Sequence, residues 1–147
     1  MITFDELNTQ NHEIAELSKV LSYLLANREM CDTDTCCDLF YQYVDTIKSH
    51  LDKVDHTYTK LISSNDKQAN HMASKFMGGS QEIKRILNQY TKKWCEKRKH
   101  ELHIANHDDF YKETTELFDL VLKRIQDETE QLYPLIRKVG GDARVAA

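Results

Sequence analysis

Apolar side chains recur every three or four positions along most of this chain, the spacing that places them on one face of an α-helix. Short polar segments separate four such stretches, and we predict helices over residues 4–28, 36–62, 67–97 and 108–138. Four helices of similar length with short connections predict an all-α fold, an up-down-up-down four-helix bundle. The predicted inward-facing side chains are Leu7, Ile14, Leu17, Val20, Leu21, Leu24 and Leu25 in the first helix; Leu39, Phe40, Tyr43, Val44, Ile47, Leu51, Val54, Tyr58 and Leu61 in the second; Met72, Phe76, Ile83, Ile86, Leu87, Tyr90 and Trp94 in the third; and Phe110, Thr114, Leu117, Phe118, Val121, Ile125, Leu132, Leu135 and Ile136 in the fourth.

The third predicted helix carries Gly78, Gly79 and Ser80 in its interior. Glycine weakens a helix, so we expect a kink or a close packing contact at this point. The chain has only 4 Gly and 1 Pro in 147 residues, a length that fits one domain. We place that domain at residues 1–139 and a flexible tail at residues 140–147.

Composition and charge exclude several classes of function. The net charge is −4 and the sequence pI about 6.0, which gives no reason to expect nucleic acid or an anionic membrane as a partner. No apolar run approaches the roughly 20 residues of a membrane span, and the N-terminus lacks the features of a signal peptide. We therefore expect a cytoplasmic protein whose four cysteines are free thiols. No catalytic nucleophile-and-base set or phosphate-binding loop is found, so we expect no enzymatic activity.

The fourth helix places a carboxylate on its apolar face. At roughly 100° per residue, Glu128 falls near the centre of that face and Arg124, one turn earlier, at its edge. A carboxylate inside a bundle must be paired with a cation, bound to a metal or protonated. The state of Glu128 is therefore the main question that the sequence poses.

Each of the other three predicted helices carries a histidine that could approach Glu128. His12 lies on the first helix, His50 on the second and His71 on the third, and Glu128 is followed by Leu132, Tyr133 and Pro134. In this layout the chain resembles the hemerythrin-like (HHE) family, whose four-helix bundles hold two irons. That family carries His-x-x-x-Glu on its second and fourth helices. Here Val54 and Arg124 stand where the family has a bridging Glu and a His, so the resemblance implies a degenerate di-iron site.

Two interpretations of the site follow. In one, iron is held by His50, Glu128 and at least one of His12 and His71, since imidazoles and a carboxylate suit iron. In the other, no cofactor is bound, and Glu128 forms a polar core network with Arg124 and His50. Helical phase favours the second interpretation, because His12 and His71 lie off the apolar stripes of their helices.

A second resemblance concerns the residues around the fourth helix. Arg124-x-x-x-Glu128 and the preceding His107-Asp108-Asp109-Phe110 are similar to motifs of the regulator-of-sigma-D family, as is the segment from Ile86 to Tyr90. The first helix does not match that family's pattern. This resemblance implies a protein partner such as a transcription-factor subunit. We therefore expect a non-enzymatic regulatory, partner-binding protein, with an iron-binding sensor or carrier of oxygen or nitric oxide as the alternative.

Cysteines and histidines also gather near the first and third connections, which the predicted topology brings to one end of the bundle. Thiolates and imidazoles there suit zinc or redox sensing, whereas the alternative is that these cysteines are ordinary buried thiols. The residues concerned are Cys31, Cys36, Cys37, Cys95, His100, His103 and His107.

Overall fold

The computed structural model describes residues 4–140, and this part of the chain is mostly helical, as the all-α prediction requires. The tail predicted at residues 140–147 lies, apart from its first residue, outside the described residues. The elements in chain order are α1 (Phe4–Leu25), a short 3₁₀ turn (Met30–Asp32), α2 (Asp34–Ile62), α3 (Lys67–Trp94), β1 (Cys95–Glu96), β2 (Glu101–Leu102), α4 (His107–Asp127), a π-helical turn (Glu128–Leu132) and α5 (Tyr133–Gly140).

Polar side chains in the connections fix where three of the helices begin. The Thr33 hydroxyl accepts a hydrogen bond from the Cys36 amide at the start of α2. Asp66 accepts from the amides of Gln68 and Ala69 at the start of α3, and Asn106 caps α4 in the same way. Each cap satisfies amides that have no partner within the first turn of a helix.

The helices pack side by side, with α2 against α1 and α3, and α4 also against α1 and α3. Their buried apolar side chains form two separate clusters. The large cluster includes Ile14, Leu17, Leu21, Leu25, Phe40, Tyr43, Val44, Ile47, Leu51, Ile83, Leu87, Tyr90, Trp94, Phe110, Leu117, Phe118 and Val121. The small cluster consists of Leu7, Val54, Tyr58, Leu61, Ala69, Ala73, Phe76, Leu132, Tyr133 and Ile136.

The third helix ends at Trp94, three residues before the predicted boundary. Cys95 pairs with Leu102 and Glu96 with Glu101 in an antiparallel hairpin, which removes these residues from the helix. A hydrogen bond links the hairpin to α2: the Tyr41 hydroxyl donates to the Glu101 carbonyl at 2.9 Å. Within α3, the glycines cause no break, and the helix is continuous from Lys67 to Trp94.

The predicted fourth helix is divided into α4 and α5 by a π-helical turn that the apolar pattern does not predict. It begins at Glu128, and the α-helix resumes at Tyr133. Pro134 lies in the first turn of α5, where the missing amide hydrogen and the fixed backbone angle of proline are tolerated. The Leu-Tyr-Pro sequence therefore does not end the helix; it marks the position where the wide turn returns to α-helical geometry.

Two details of the first helix differ from the prediction. It ends at Leu25 rather than at Arg28. The carbonyl of this last residue accepts a hydrogen bond from Nε2 of the His107 ring at 2.8 Å. Val20, which the pattern predicts to face inward, is 44% exposed.

No helix within residues 4–140 is both long enough and apolar enough to cross a membrane.

The Asp66 cap predicts how stability depends on pH. Its hydrogen bond from the Ala69 amide, and then its contact with Lys138, lower the pKa of the Asp66 carboxyl. A depressed pKa in the folded state stabilises the protein above the unfolded-state pKa of roughly 3.9, and this contribution is lost as pH falls through the folded-state value. We expect the stability advantage of the wild type over Asp66→Asn to shrink in acid. Urea unfolding at a series of pH values measures this, with Asp119→Asn as an exposed control. An advantage that stays constant between neutral pH and pH 3 would contradict it.

Candidate functional site

The carboxylate of Glu128 is completely buried and both of its oxygens have partners. Arg124 donates from Nε to Oε1 at 3.0 Å, and His50 donates from Nε2 to Oε2 at 2.9 Å. Arg124 lies on α4, Glu128 begins the π-helical turn that follows it, and His50 lies on α2, so the hydrogen bonds of this carboxylate join two parts of the bundle. The π-helical turn begins at Glu128, so the helix widens where this carboxylate enters the core.

The Arg124 guanidinium connects the site to a third helix. Its Nη2 donates both to the Tyr58 hydroxyl and to the Phe76 carbonyl of α3, each at 2.7 Å. The guanidinium also lies over the Phe76 ring, 4.6 Å from its centroid. An arginine remains protonated at any physiological pH, so Arg124 supplies a permanent positive charge beside the buried carboxylate.

Gly79 provides the space that this guanidinium occupies. A Cβ atom built on Gly79 would lie 2.6 Å from Arg124 Nη1, whereas one built on Gly78 would meet nothing within 4 Å. Of the kink and the packing contact that the glycines predicted, the structure shows the packing contact. The two adjacent glycines therefore differ in role, and only Gly79 is required by its neighbour.

The first helix and the last contribute the remaining polar groups. The side-chain oxygen of Gln10 lies 2.9 Å from His50 Nδ1, and Asn11 donates to the Tyr133 hydroxyl at 2.6 Å. Burial raises the pKa of Tyr133, and the negative charge of Glu128 raises it further. Tyr133 is consequently a neutral hydroxyl throughout the physiological range.

The Tyr133 hydroxyl also interacts with the Glu128 carboxylate, so these residues form one unit. We call it the polar network: Gln10, Asn11, His50, Tyr58, Arg124, Glu128 and Tyr133. It lies where the two apolar clusters meet. On α1, Asn11 falls between Leu7 of the small cluster and Ile14 of the large one, and on the fourth helix Glu128 falls between Val121 and Leu132 in the same way. The core is therefore two apolar regions separated by a polar layer.

The four residues expected to hold iron do not come together. His50 and Glu128 are in contact, but the side chains of His12 and His71 are exposed on α1 and α3. Val54, which the resemblance sets against a bridging Glu, is completely buried in the small apolar cluster. Within residues 4–140, no group of three or more His, Cys, Asp or Glu side chains has an arrangement that could hold a metal ion.

The polar network itself also fits iron poorly. Among the described residues of the network, the Asn11 side-chain oxygen is the one buried acceptor without a hydrogen-bond partner. Amide oxygens suit hard cations rather than iron. The imidazole and the carboxylate that would suit iron already bond each other, and the Arg124 guanidinium bonds the other oxygen of that carboxylate. The residues present do not match a di-iron centre.

The cysteines near the first and third connections form no metal site within residues 4–140 either. Cys31, Cys36 and Cys37 are buried, and Cys95 is half-buried. Burial raises the pKa of Cys36 to about 12 and that of Cys95 to about 11, so both remain protonated thiols at neutral pH. Such thiols are weak nucleophiles and weak ligands.

Comparison of the chain with protein-family models, with characterised proteins and with solved structures gives no significant match. The resemblances drawn from the sequence therefore rest on the quoted residues alone.

Replacing Gly78 and Gly79 separately by alanine tests whether only Gly79 is needed to make room for Arg124. Alanine at position 78 gains helix propensity, and we expect Gly78→Ala to raise the free energy of unfolding by about 0.5–1 kcal/mol. Gly79→Ala makes the same gain but displaces a guanidinium held by Glu128, Tyr58 and Phe76. We expect it to lower the free energy of unfolding by about 1–3 kcal/mol. Urea denaturation of both variants measures this difference, and a Gly79→Ala protein as stable as Gly78→Ala would contradict the assigned contact.

A double-mutant cycle tests the ion pair. Arg124→Met leaves a buried carboxylate without its cation, and we expect it to cost about 3–5 kcal/mol of stability. Adding Glu128→Met removes the unpaired charge, so the double variant should recover much of that loss. Chemical denaturation of the wild type, both single variants and the double variant gives the coupling. A double variant that loses the sum of the two single losses would show that the residues act independently.

Proposed function

We propose that this chain is a hemerythrin-like, up-down four-helix bundle in which a buried ion pair stands where the family places two irons, and that it acts as a non-enzymatic regulatory protein that binds a protein partner. The observation that carries the proposal is the position of the Arg124 guanidinium, which bonds Glu128, Tyr58 and Phe76 together.

The contacts of Glu128 support the metal-free part of the proposal. A carboxylate that accepts from Arg124 and from His50 has compensated its charge without an ion. Binding iron would require breaking at least one of these bonds and moving a cation that remains protonated. Because His12 and His71 are exposed, neither brings a second imidazole to Glu128.

The burial of the site supports a non-enzymatic role. Glu128 is 0% exposed and His50 is 3% exposed, so neither side chain can reach a substrate in solution. A general acid or base must come within hydrogen-bond distance of the proton it transfers. A buried network instead favours one packing of the helices, because each alternative packing leaves a polar group unpaired. What remains for function is the surface, which is why we propose a partner-binding protein, with a transcription-factor subunit as one class of partner.

Metal content is the direct test. Protein expressed with added iron, and purified without chelators or a histidine tag, should contain far less than one iron per chain by elemental analysis. Its near-ultraviolet and visible spectrum should lack the absorption of an oxidised di-iron centre. We expect the same result for His50→Ala and for His56→Ala, an exposed histidine on the same helix.

One or two irons per chain would overturn the metal-free part of the proposal. If that iron is lost in His50→Ala but kept in His56→Ala, the site involves the polar network and the chain is an iron-binding sensor or carrier. Stoichiometric zinc that persists in both variants would instead direct attention to the cysteines.

A further inference from the structure

Two adjoining concavities follow the line where α1 and α2 pack together. The first, of about 360 Å³, has an apolar floor made by Leu17, Val20 and Leu39. The second, of about 620 Å³, has a polar lining that includes Asp38 and Asp45. Glu13 and Gln42 line both concavities, and the Gln42 amide donates to Glu13 at 3.4 Å. We call the combined depression the α1–α2 groove.

The apolar half of the groove is exposed where the helical pattern predicted burial. Val20 keeps 44% of its surface in solvent. Leu39 on α2 is only partly buried. Exposed apolar side chains that lie side by side on neighbouring helices are typical of a binding surface, whereas single ones are common on any protein.

The rim of the groove is acidic. Glu13 and Glu16 on α1 and Asp38 and Asp45 on α2 line it, against a single lysine, Lys53. Asp38 lies 3.1 Å from the His100 ring. Among the described residues, no ion pair involves Glu13, Glu16 or Asp45. The groove thus carries uncompensated negative charge beside an apolar floor.

We propose that the α1–α2 groove binds an amphipathic basic helix of a partner protein, an inference that rests on the partner-binding function proposed above. Apolar residues at helical spacing would cover Leu17, Val20 and Leu39, and lysines or arginines flanking them would face the acidic rim. From Asp38 to Lys53 the groove follows about 22 Å of α2 at 1.5 Å per residue, which matches a partner helix of about 15 residues.

The basic run of residues 92–99 in a second copy of this chain does not offer such a helix. Its basic residues from Lys97 to Lys99 lie in the turn between the two short strands. Lys92 and Lys93 are on α3, but the neighbouring Trp94 is buried in the chain's own core. The charge complementarity is therefore with another protein.

The test uses a designed probe, a 15-residue peptide of leucine and lysine with leucines at helical spacing, labelled for fluorescence anisotropy. Two control peptides separate shape from charge: one has the same composition in an order without helical periodicity, and one has glutamate in place of lysine. We expect the amphipathic basic peptide to bind at least tenfold more tightly than either control, and its affinity to fall with added salt.

Matched variants locate the binding site. Glu16→Lys combined with Asp45→Lys should weaken peptide binding about tenfold by reversing rim charges, and Val20→Ser should weaken it by removing part of the floor. Asp119→Lys and Leu122→Ser make the same kinds of change on α4, at residues that are exposed and outside the groove. We expect these two controls to bind as the wild type does. All five positions are exposed, and circular dichroism checks that the variants fold.

Other results overturn the assignment. Equal binding of the three peptides, or equal losses in groove and control variants, would show that the groove is not a specific site. A dimer in sedimentation analysis that the groove variants dissociate would assign the groove to a second copy of the chain. Iron content is measured on the same samples. Metal-free protein that does not bind the peptide overturns the groove alone, whereas stoichiometric iron overturns the proposed metal-free function whatever the peptide does.

Discussion

The burial of one carboxylate constrains much of this structure. Glu128 has no exposed surface, and a buried charge requires a compensating charge and hydrogen bonds to both oxygens. Arg124 and His50 meet that requirement. Arg124 in turn fits only because residue 79 has no side chain, and it bonds a carbonyl of α3. The requirements of this single side chain, at the start of the π-helical turn, thus determine residues on α2 and α3, and through Gln10 they extend to α1.

The polar network also determines how the helices are aligned. Apolar side chains on parallel or antiparallel helices can pack in several registers with similar energy, because the hydrophobic effect has no direction. Here a shift of α2 or α3 by one turn would separate His50 from Glu128 or the Phe76 carbonyl from Arg124. Leaving a buried charge unpaired costs several kcal/mol, about 3–5 by analogy with other buried pairs. We interpret the layer between the two apolar clusters as the feature that selects one register.

The sequence predicted the parts of this arrangement that follow from helical periodicity. Glu128 lies at the centre of an apolar stripe, and Arg124 is one turn away, so both could be assigned to the core together with His50. The pattern predicts a buried Tyr58 only as an apolar residue, and it gives no signal for Gln10, whose polar side chain lies beside the stripe of α1. The strands between Cys95 and Leu102 are two residues each, too short for any alternation to be visible. The pattern does not predict the π-helical turn, because such a turn departs from the 3.6-residue period on which the prediction depends.

The histidines show that the helix on which a residue lies does not determine whether its side chain reaches the interior. His12 and His50 both occupy the helices on which a hemerythrin-like protein carries its ligands, yet only His50 reaches the interior. The difference is one of phase: Asn11 takes the inward position on α1, and the next residue, about 100° further round the helix, faces solvent. His12 then lines the groove between α1 and α2. Because the Arg124–Glu128 ion pair fills the interior, residues such as His12 can contribute to function only at the surface. The same exposed face of α1 carries Val20, which the apolar pattern predicts to be buried.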